Sequence, residues 1–516
     1  MSRITISKQY NTTTFMAEDG TNLLDFLRKN GFDISADCSG LGTCGKCMVE
    51  INDSHGKRQV KSCEYIISED LDVTFSSSNG GIIESGTVDY SDEFLKRSGY
   101  GAAVDLGTTT ICVSVFDLES GALIGTSSDW NAQGSYGADV ISRVDYCMKK
   151  PRGLEMLGRK IRRQIRLLIQ QIIDENGGGQ LSEVVISGNT VMQHIFAQID
   201  PSPMAKAPYE PSCLFDEDFE APVEYPEFDD CILGFSPCIA GFVGGDIVSG
   251  ILASGMDKGK EISLLLDIGT NGEMVIGNSD SLLCCSVATG PAFEGAHLSC
   301  GMRSIDGAIS HISLTNDLTR GGILALKLDI IGDQAAPLGL CGTAYMDLLA
   351  ILLDEGVVDS TGRLLGPGEV PLKMRHFVTA DDNDNGIFWV DPDQNIYVNA
   401  ADIRQLQLAK AAVAAGIDTL LGAAGISADC IDKVYIAGGF GKNLNPYSVS
   451  RIGLIPEDLT DKITDIGNAS LTGAIALLRD PAAASHMLKI ADTCKHLELA
   501  LDKGFSKKYI EQMTFN

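Results

Sequence analysis

Basic residues are scarce in this sequence. There are 40 Lys and Arg against 69 Asp and Glu in 516 residues, a formal charge of −29. A phosphate backbone or an anionic membrane would repel that charge, so general nucleic-acid binding is disfavoured. Long apolar runs are missing too. The longest stretch free of Asp, Glu, Lys and Arg is Val184 to Ile199, sixteen residues interrupted by Asn189, Gln193 and His194. That is too short and too polar to span a bilayer. The opening Met1-Ser2-Arg3-Ile4-Thr5-Ile6 has neither the apolar core nor the cleavage site of a secretory signal. These absences predict a cytoplasmic protein with no membrane and no nucleic acid among its partners.

The remaining composition is that of a globular chain, 44% apolar and 21% charged. At roughly 150 residues per domain, the length suggests about three units. Fifteen cysteines in a chain of this kind do not read as a disulfide framework. Four of them, Cys38, Cys44, Cys47 and Cys63, fall in the first 111 residues, and the other eleven are scattered from Cys112 to Cys494.

Residues 1–76 read as a small domain. Arg3–Ile6 and Thr12–Met16 alternate like two strands of a hairpin, and Thr21 is placed to cap a helix carrying Leu23, Leu24, Phe26 and Leu27. Cys47–Ile51 and Leu71–Phe75 read as further strands. A polar, Gly/Ser-rich linker is expected over 77–98, since that composition cannot build a core. From residue 99 to 516 strand and helix patterns alternate, as in an α/β domain. Helices are clearest at Leu154 to Asp174 and Asp402 to Leu421. Ala103-Val104-Asp105-Leu106-Gly107-Thr108 recurs 162 residues later as Leu265-Leu266-Asp267-Ile268-Gly269-Thr270. Each copy is followed by a second apolar strand, Ile111–Phe116 and Met274–Ile276. Two related halves with a cleft between them are the simplest reading.

Cys38-Ser-Gly-Leu-Gly-Thr-Cys44-Gly-Lys-Cys47, with Cys63 beyond, has gaps of five, two and fifteen residues. Thiolates suit iron–sulfur clusters and zinc. Zinc ribbons bring two Cys-x2-Cys knuckles where this segment has one, and glycines 40, 42 and 45 let the backbone aim amides at sulfur. The arrangement resembles the plant-type [2Fe–2S] ferredoxins, whose β-grasp fold fits the strand–strand–helix order. It departs from them in its first gap, five residues instead of four, and in its short last gap.

The two Asp-x-Gly-Thr turns suit phosphate. Glycine lets the backbone come close, amides and threonine hydroxyls donate, and the aspartate can hold hydrated Mg²⁺ or orient a water. A third Gly-rich turn, Val434-Tyr435-Ile436-Ala437-Gly438-Gly439-Phe440-Gly441, again ends an apolar strand. Together they resemble the phosphate 1, phosphate 2 and adenosine motifs of the actin, chaperone and sugar-kinase ATPases. Ser187–Thr190 and Gly467–Ala474 sit where that superfamily has its connecting helices. The resemblance makes Gly107, Thr108, Thr109, Thr110, Gly269, Thr270, Asn271, Gly438 and Gly439 the expected ATP contacts, with Asp105 and Asp267 flanking Mg²⁺.

A ferredoxin-like domain fused to such an ATPase resembles the reductive activators of corrinoid proteins, and the likeness runs across nearly the whole chain. Ala288–Gly295, Gly339–Thr343 and Asp402–Lys410 also resemble stretches of that family. Its larger members carry an extra middle domain, for which the short linker here leaves no separate room. The resemblance implies an α+β and α/β architecture, with an N-terminal β-grasp domain followed by a duplicated actin-like fold. It also implies ATP-dependent electron transfer from the cluster to a corrinoid protein, reducing Co(II) to Co(I). The partners would be that corrinoid protein and a low-potential electron donor; homodimer formation is left open. Rival readings are an activator of a radical dehydratase or reductase, a nucleotide-switched redox-sensing module, and a sugar or acid kinase.

Other features read as structural. Lys149, Lys150, Arg152, Arg159, Lys160, Arg162, Arg163 and Arg166 are expected on a solvated helix face. Eight carboxylates between Asp216 and Asp230 are expected in a solvated loop. His194 and His297 are expected to be structural, and Cys284, Cys285, Cys300 and Cys341 to be small core residues.

Overall fold

The protein is described by a computed structural model covering residues 1–8, 11–30, 32, 47–54, 56–74, 94–216, 219–317, 323–332, 336–382, 384–439, 441 and 444–515. The N-terminal part holds β1 (Ser2–Lys8), β2 (Asn11–Ala17), α1 (Leu23–Lys29), β3 (Met48–Asp53), β4 (Gly56–Lys61) and β5 (Leu71–Thr74). The sheet order is β2-β1-β5-β3-β4, with β1 and β5 parallel and α1 packed on the buried face through Leu23, Leu24, Phe26 and Leu27. The expected hairpin and last strand are present. The helix cap is Asn22 instead of Thr21. Asn22 Oδ1 accepts from Leu24 N at 3.0 Å, and its Nδ2 donates to Cys63 O at 2.8 Å, so the cap also ties the helix to a cysteine loop. Most of the expected linker lies outside the described residues.

The rest of the chain begins with β6 (Tyr100–Leu106), β7 (Thr110–Asp117), β8 (Leu123–Trp130), α2 (Val140–Lys149), α3 (Gly153–Glu175), β9 (Leu181–Gly188), α4 (Thr190–Ala197), β10 (Ile232–Phe235) and α5 (Gly245–Ser254). Next come β11 (Ser263–Ile268), β12 (Gly272–Asn278), β13 (Ser281–Val287), β14 (Ala308–Asp317), β15 (Ile323–Ile330), β16 (Gly339–Leu340), α6 (Gly342–Asp354), β17 (Val378–Ala380), β18 (Gly386–Asp391) and β19 (Ile396–Asn399). It closes with α7 (Ala400–Ala424), β20 (Lys433–Ala437), α8 (Pro446–Arg451), β21 (Ile463–Asp465), α9 (Ala469–Arg479), α10 (Ala483–Thr493), β22 (Cys494–His496) and α11 (Lys503–Glu511).

The internal repeat extends to topology. One sheet runs β10-β9-β6-β7-β8 and the other β21-β20-β11-β12-β13-β22. In each, the Asp-bearing strand (β6 or β11) lies parallel to one neighbour (β9 or β20) and antiparallel to the strand after its turn (β7 or β12). Parallel neighbours buried on both faces need continuous apolar runs, which Ala102–Val104 and Leu264–Leu266 supply.

Two helices cross between the lobes. α5 follows the first sheet but packs Ile247, Val248 and Ile251 on Leu265, Val275 and Cys284 of the second. α9 follows the second but packs Leu471, Ala474, Ile475 and Leu478 on Ala103, Cys112, Phe116 and Val185 of the first. The two helices touch where Gly473 meets Ser249. Ser187 Oγ lies 2.9 Å from Ser249 Oγ and 3.1 Å from Ser470 Oγ, so hydroxyls tie the crossing to β9.

α7 is long and apolar enough to cross a membrane by length and composition, yet 78% of its most apolar window is buried in the fold. It is apolar on most sides because it is packed on most sides. Asn399 and Asp402 cap it, and Gly425 ends it in the left-handed region. Arg162 corrects an expectation. It is buried beneath α3, paired with Glu227 at 2.9 Å and donating to Phe196 O, because one side of that helix faces the core. Glu227, in the expected solvated loop, is the carboxylate that pairs with it. His194 is buried, with Nδ1 2.7 Å from Thr190 O and Nε2 accepting from Cys213 N. Cys284, Cys285 and Cys341 are buried and Cys300 is half-buried.

Candidate nucleotide cleft and thiolate centre

Asp105 and Asp267 occupy matching places near the ends of β6 and β11. Asn468, the N-cap of α9, donates to Asp105 Oδ2 at 2.9 Å. Burial raises the Asp105 pKa, an effect opposed by its hydrogen bonds from Ser470 and Asn468. Burial pushes Asp267 up to about 7, with Asp105 and Glu294 adding repulsion.

Two further carboxylates join them. Asp246, in the first turn of α5, is raised to about 7 by burial and then by Asp267. Glu273 faces Asp267 across the β11–β12 pair and is held well above the usual range by burial, then by Asp246 and Asp267. The hydrogen bonds these acids accept come from neutral donors: Asn468, Ser470, Ser286 and backbone amides. A cation bound among these acids would favour their ionised forms. Among the described residues, no three His, Cys, Asp or Glu side chains are grouped closely enough to ligate a metal directly.

The turns between the paired strands face one another. Thr109 Oγ1 of the first donates to Glu294 Oε2 at 3.1 Å, and Thr270 Oγ1 of the second donates to Glu294 Oε1 at 2.8 Å. One carboxylate thus bridges both turns. Their carbonyls are held from behind. In the first, Asn131 Nδ2 reaches Gly107 O at 2.8 Å and Arg143 Nη2 reaches Thr108 O at 2.6 Å. Asn189 Nδ2 donates to Thr108 Oγ1 at 3.0 Å. In the second, Thr289 Oγ1 is 2.7 Å from Gly269 O and 2.9 Å from Thr270 O, while Asn271 O accepts from Gly269 N.

Gly107 has no room for a side chain, since a Cβ there would lie 2.5 Å from Thr110 O. Gly438 has φ +83°, and a Cβ would lie 3.0 Å from Asp267 Oδ1, so the third turn comes against the same aspartate. Gly439 follows it and is exposed. Thr110 begins β7 opposite Trp130, whose ring stacks on Arg303 from the other half at 3.5 Å.

Of the sequence-predicted nucleotide residues, Asp105, Asp267, Thr109, Thr270 and Gly438 are linked through these contacts. Asp246, Glu273, Glu294, Asn131, Arg143 and Thr289 were not anticipated individually. Glu294 and Thr289 do lie in the Ala288–Gly295 stretch, and Gly244-Gly245-Asp246 before an apolar run was a usable signal. Nothing in the sequence marked Arg143.

The thiolate centre is described in part. Cys47 is buried just before β3, and its Sγ lies 3.1 Å from Cys63 Sγ, beyond β4. Ser62 N donates to Cys47 O at 2.9 Å, holding the two loops together. Two soft donors converging from separate loops fit one corner of a cluster. Cys38 and Cys44 lie outside the described residues.

Three family models match in sequence: a 2Fe-2S iron-sulfur cluster binding domain over residues 5–70, the RACo middle region over 100–259, and the C-terminal domain of RACo, the ASKHA domain, over 261–516. The middle region thus coincides with the segment carrying the first Asp-x-Gly-Thr turn, which corrects the expectation that it had no room here. The chain is 27% identical to a corrinoid activation enzyme, RamQ, of Eubacterium limosum, covering 95% of both proteins. It is 23% identical to a [Co(II) methylated amine-specific corrinoid protein] reductase of Methanosarcina barkeri, covering 81% of this chain and 77% of that one. A solved structure of a reductive activator for corrinoid, iron-sulfur protein superposes with TM-score 0.71 at 28% identity, over 100% of this chain and 98% of that one.

Proposed function

Because the chain belongs to the family of ATP-dependent reductive activators of corrinoid proteins, we propose that it uses ATP to drive an electron from its own cluster onto a Co(II) corrinoid protein, returning the cobalt to Co(I). The observation that carries this reading is the joining, in one chain, of an iron–sulfur domain to an ASKHA ATPase, in the order of a full-length structural relative.

In this reading Cys38, Cys44, Cys47 and Cys63 would hold a [2Fe–2S] cluster, a reading supported by the Cys47 and Cys63 sulfurs converging from separate loops. When bound, such a cluster supplies a one-electron carrier near about −400 mV, as in plant-type ferredoxins. The Co(II)/Co(I) couple is expected to be more reducing still, and each ~59 mV of deficit disfavours transfer tenfold. The ATPase domain supplies the missing drive. Gly107–Thr110 and Gly269–Asn271 would close on the phosphates, Asp105 and Asp267 would hold Mg²⁺, and Gly438 and Gly439 would pass over the adenosine. Closure of the two halves around ATP then favours the complex in which transfer occurs. We assign residues 1–76 to the cluster domain, 77–98 to the linker and 99–516 to the ATPase, acting in the cytoplasm with a low-potential donor.

The test mixes the protein, a chemical reductant and a Co(II) corrinoid protein, and follows Co(I) by visible absorption with and without ATP. Co(I) should accumulate only with ATP. Equal formation without nucleotide would overturn the proposal, as would iron and sulfide analysis finding zinc in place of two irons per chain.

A further inference from the structure

Among the described residues Arg143 is the one fully buried guanidinium behind the first phosphate turn, and nothing in the reaction above uses it. It projects from α2 and is 1% exposed. Nη2 donates to Thr108 O at 2.6 Å, Nε to Gly137 O at 3.0 Å, and Nη1 lies 3.4 Å from Gln133 Oε1 and 3.1 Å from Met192 Sδ. Every acceptor is neutral. Among the described residues no carboxylate comes within ion-pairing distance. Asp139, the acid in its field, uses Oδ1 to cap α2 through Ser142 N. Burial pulls the Arg143 pKa down to about 9, which still leaves it charged at neutral pH.

An uncompensated buried charge costs several kcal/mol. Holding a carbonyl does not require one, as the matching turn shows: there the neutral Thr289 hydroxyl binds Gly269 O and Thr270 O. The peptide plane sets N–H opposite C=O. Tying Gly107 O to Asn131 and Thr108 O to Arg143 therefore turns the Thr108 and Thr109 amides away from those residues, toward the cleft. An anion received by these amides would also be the counter-charge that Arg143 lacks.

We propose that Arg143 is a positioning residue for the phosphates of ATP, pinning the first turn from behind and supplying a positive charge that no carboxylate among the described residues pairs directly. This rests on the nucleotide reading of the cleft. It separates the residue from a merely structural one, because its effect must scale with phosphate.

The full chain is titrated calorimetrically with ATP, ADP and adenosine. Arg143→Met should weaken ATP and ADP by about tenfold or more, the worth of a charge-assisted hydrogen bond, and leave adenosine within about twofold. Its melting temperature without nucleotide should hold or rise, and the rise on adding ATP should shrink. Should Arg143→Met not fold, Arg143→Lys carries the test, since it keeps the charge but loses the fork: ATP should weaken by about threefold or more with adenosine unchanged. Wild-type ATP affinity in the variant, or equal losses for ATP and adenosine, overturns the proposal. If the unaltered chain binds adenosine nucleotides not at all, the nucleotide reading itself fails, and this inference with it.

Discussion

Thr109 and Glu294 lie 185 positions apart in the chain and meet across the cleft, hydroxyl to carboxylate, at 3.1 Å. The other oxygen of the same carboxylate is held by Thr270. A single side chain therefore occupies the point on which the two Asp-x-Gly-Thr turns converge. Glu294→Gln should retain the fold, because the group is only half-buried, and should lower ATP hydrolysis at least about tenfold, as loss of a positioned carboxylate does. Steady-state phosphate release beside a melting curve checks this; unchanged turnover would remove Glu294 from the site.

The two chemistries should be separable. Asp267→Ala should abolish most ATP hydrolysis and keep the visible absorption of the cluster. Cys47→Ser should do the reverse, bleaching that absorption while basal hydrolysis stays within about twofold, because the two centres belong to separate hydrophobic cores. Neither variant should raise Co(I) in a corrinoid partner. Full ATP-dependent reduction by Cys47→Ser would make the cluster dispensable.

Packing at the helix crossing gives a third expectation. Gly473→Ala drives a methyl into Ser249 where α5 and α9 touch. Overpacking of this kind costs about 1–3 kcal/mol. Urea unfolding followed by circular dichroism should show a lower midpoint with an unchanged slope, and Gly473→Val should be worse.

The acid cluster sets a pH dependence. Asp246 and Asp267 are raised to about 7, above an unfolded carboxylate near ~3.9. Between those values the unfolded chain has released protons that the folded chain keeps, so stability falls as pH rises. Without nucleotide and metal, the melting temperature should drop from about pH 5 to about pH 7.5 by this contribution. Asp267→Asn should flatten the slope. A wild-type slope in that variant would show that other groups set it.

Much of this architecture was legible in the residues. Asp-x-Gly-Thr after an apolar strand, twice, announced two turns of one kind, because a close phosphate approach needs glycine and a strand end needs a stop. The N-terminal strands were visible from alternation, since one face of that sheet is buried. The cap at Asn22 was missed because Thr21, one residue earlier, is also a capping type, though a weaker one than Asn. Glu273 was not legible: it meets Asp267 through strand register, a property of the pair and not of either segment. Arg162 read as a surface charge, and Arg143 drew no reading, because sequence cannot show that Phe196 O and Thr108 O await them in the interior.

The exchange of α5 and α9 has a consequence for any attempt to divide the molecule. The first sheet has one face covered by residues from the far end of the chain, and the second is covered by a helix made before it. A cut between Gly255 and Ile262 leaves the N-terminal fragment with Ala103, Phe116 and Val185 bare, and the C-terminal fragment with Leu265 and Val275 bare. Neither fragment should be soluble alone. Co-expressed, the two should find each other, so that split-protein complementation reports assembly of the lobes themselves.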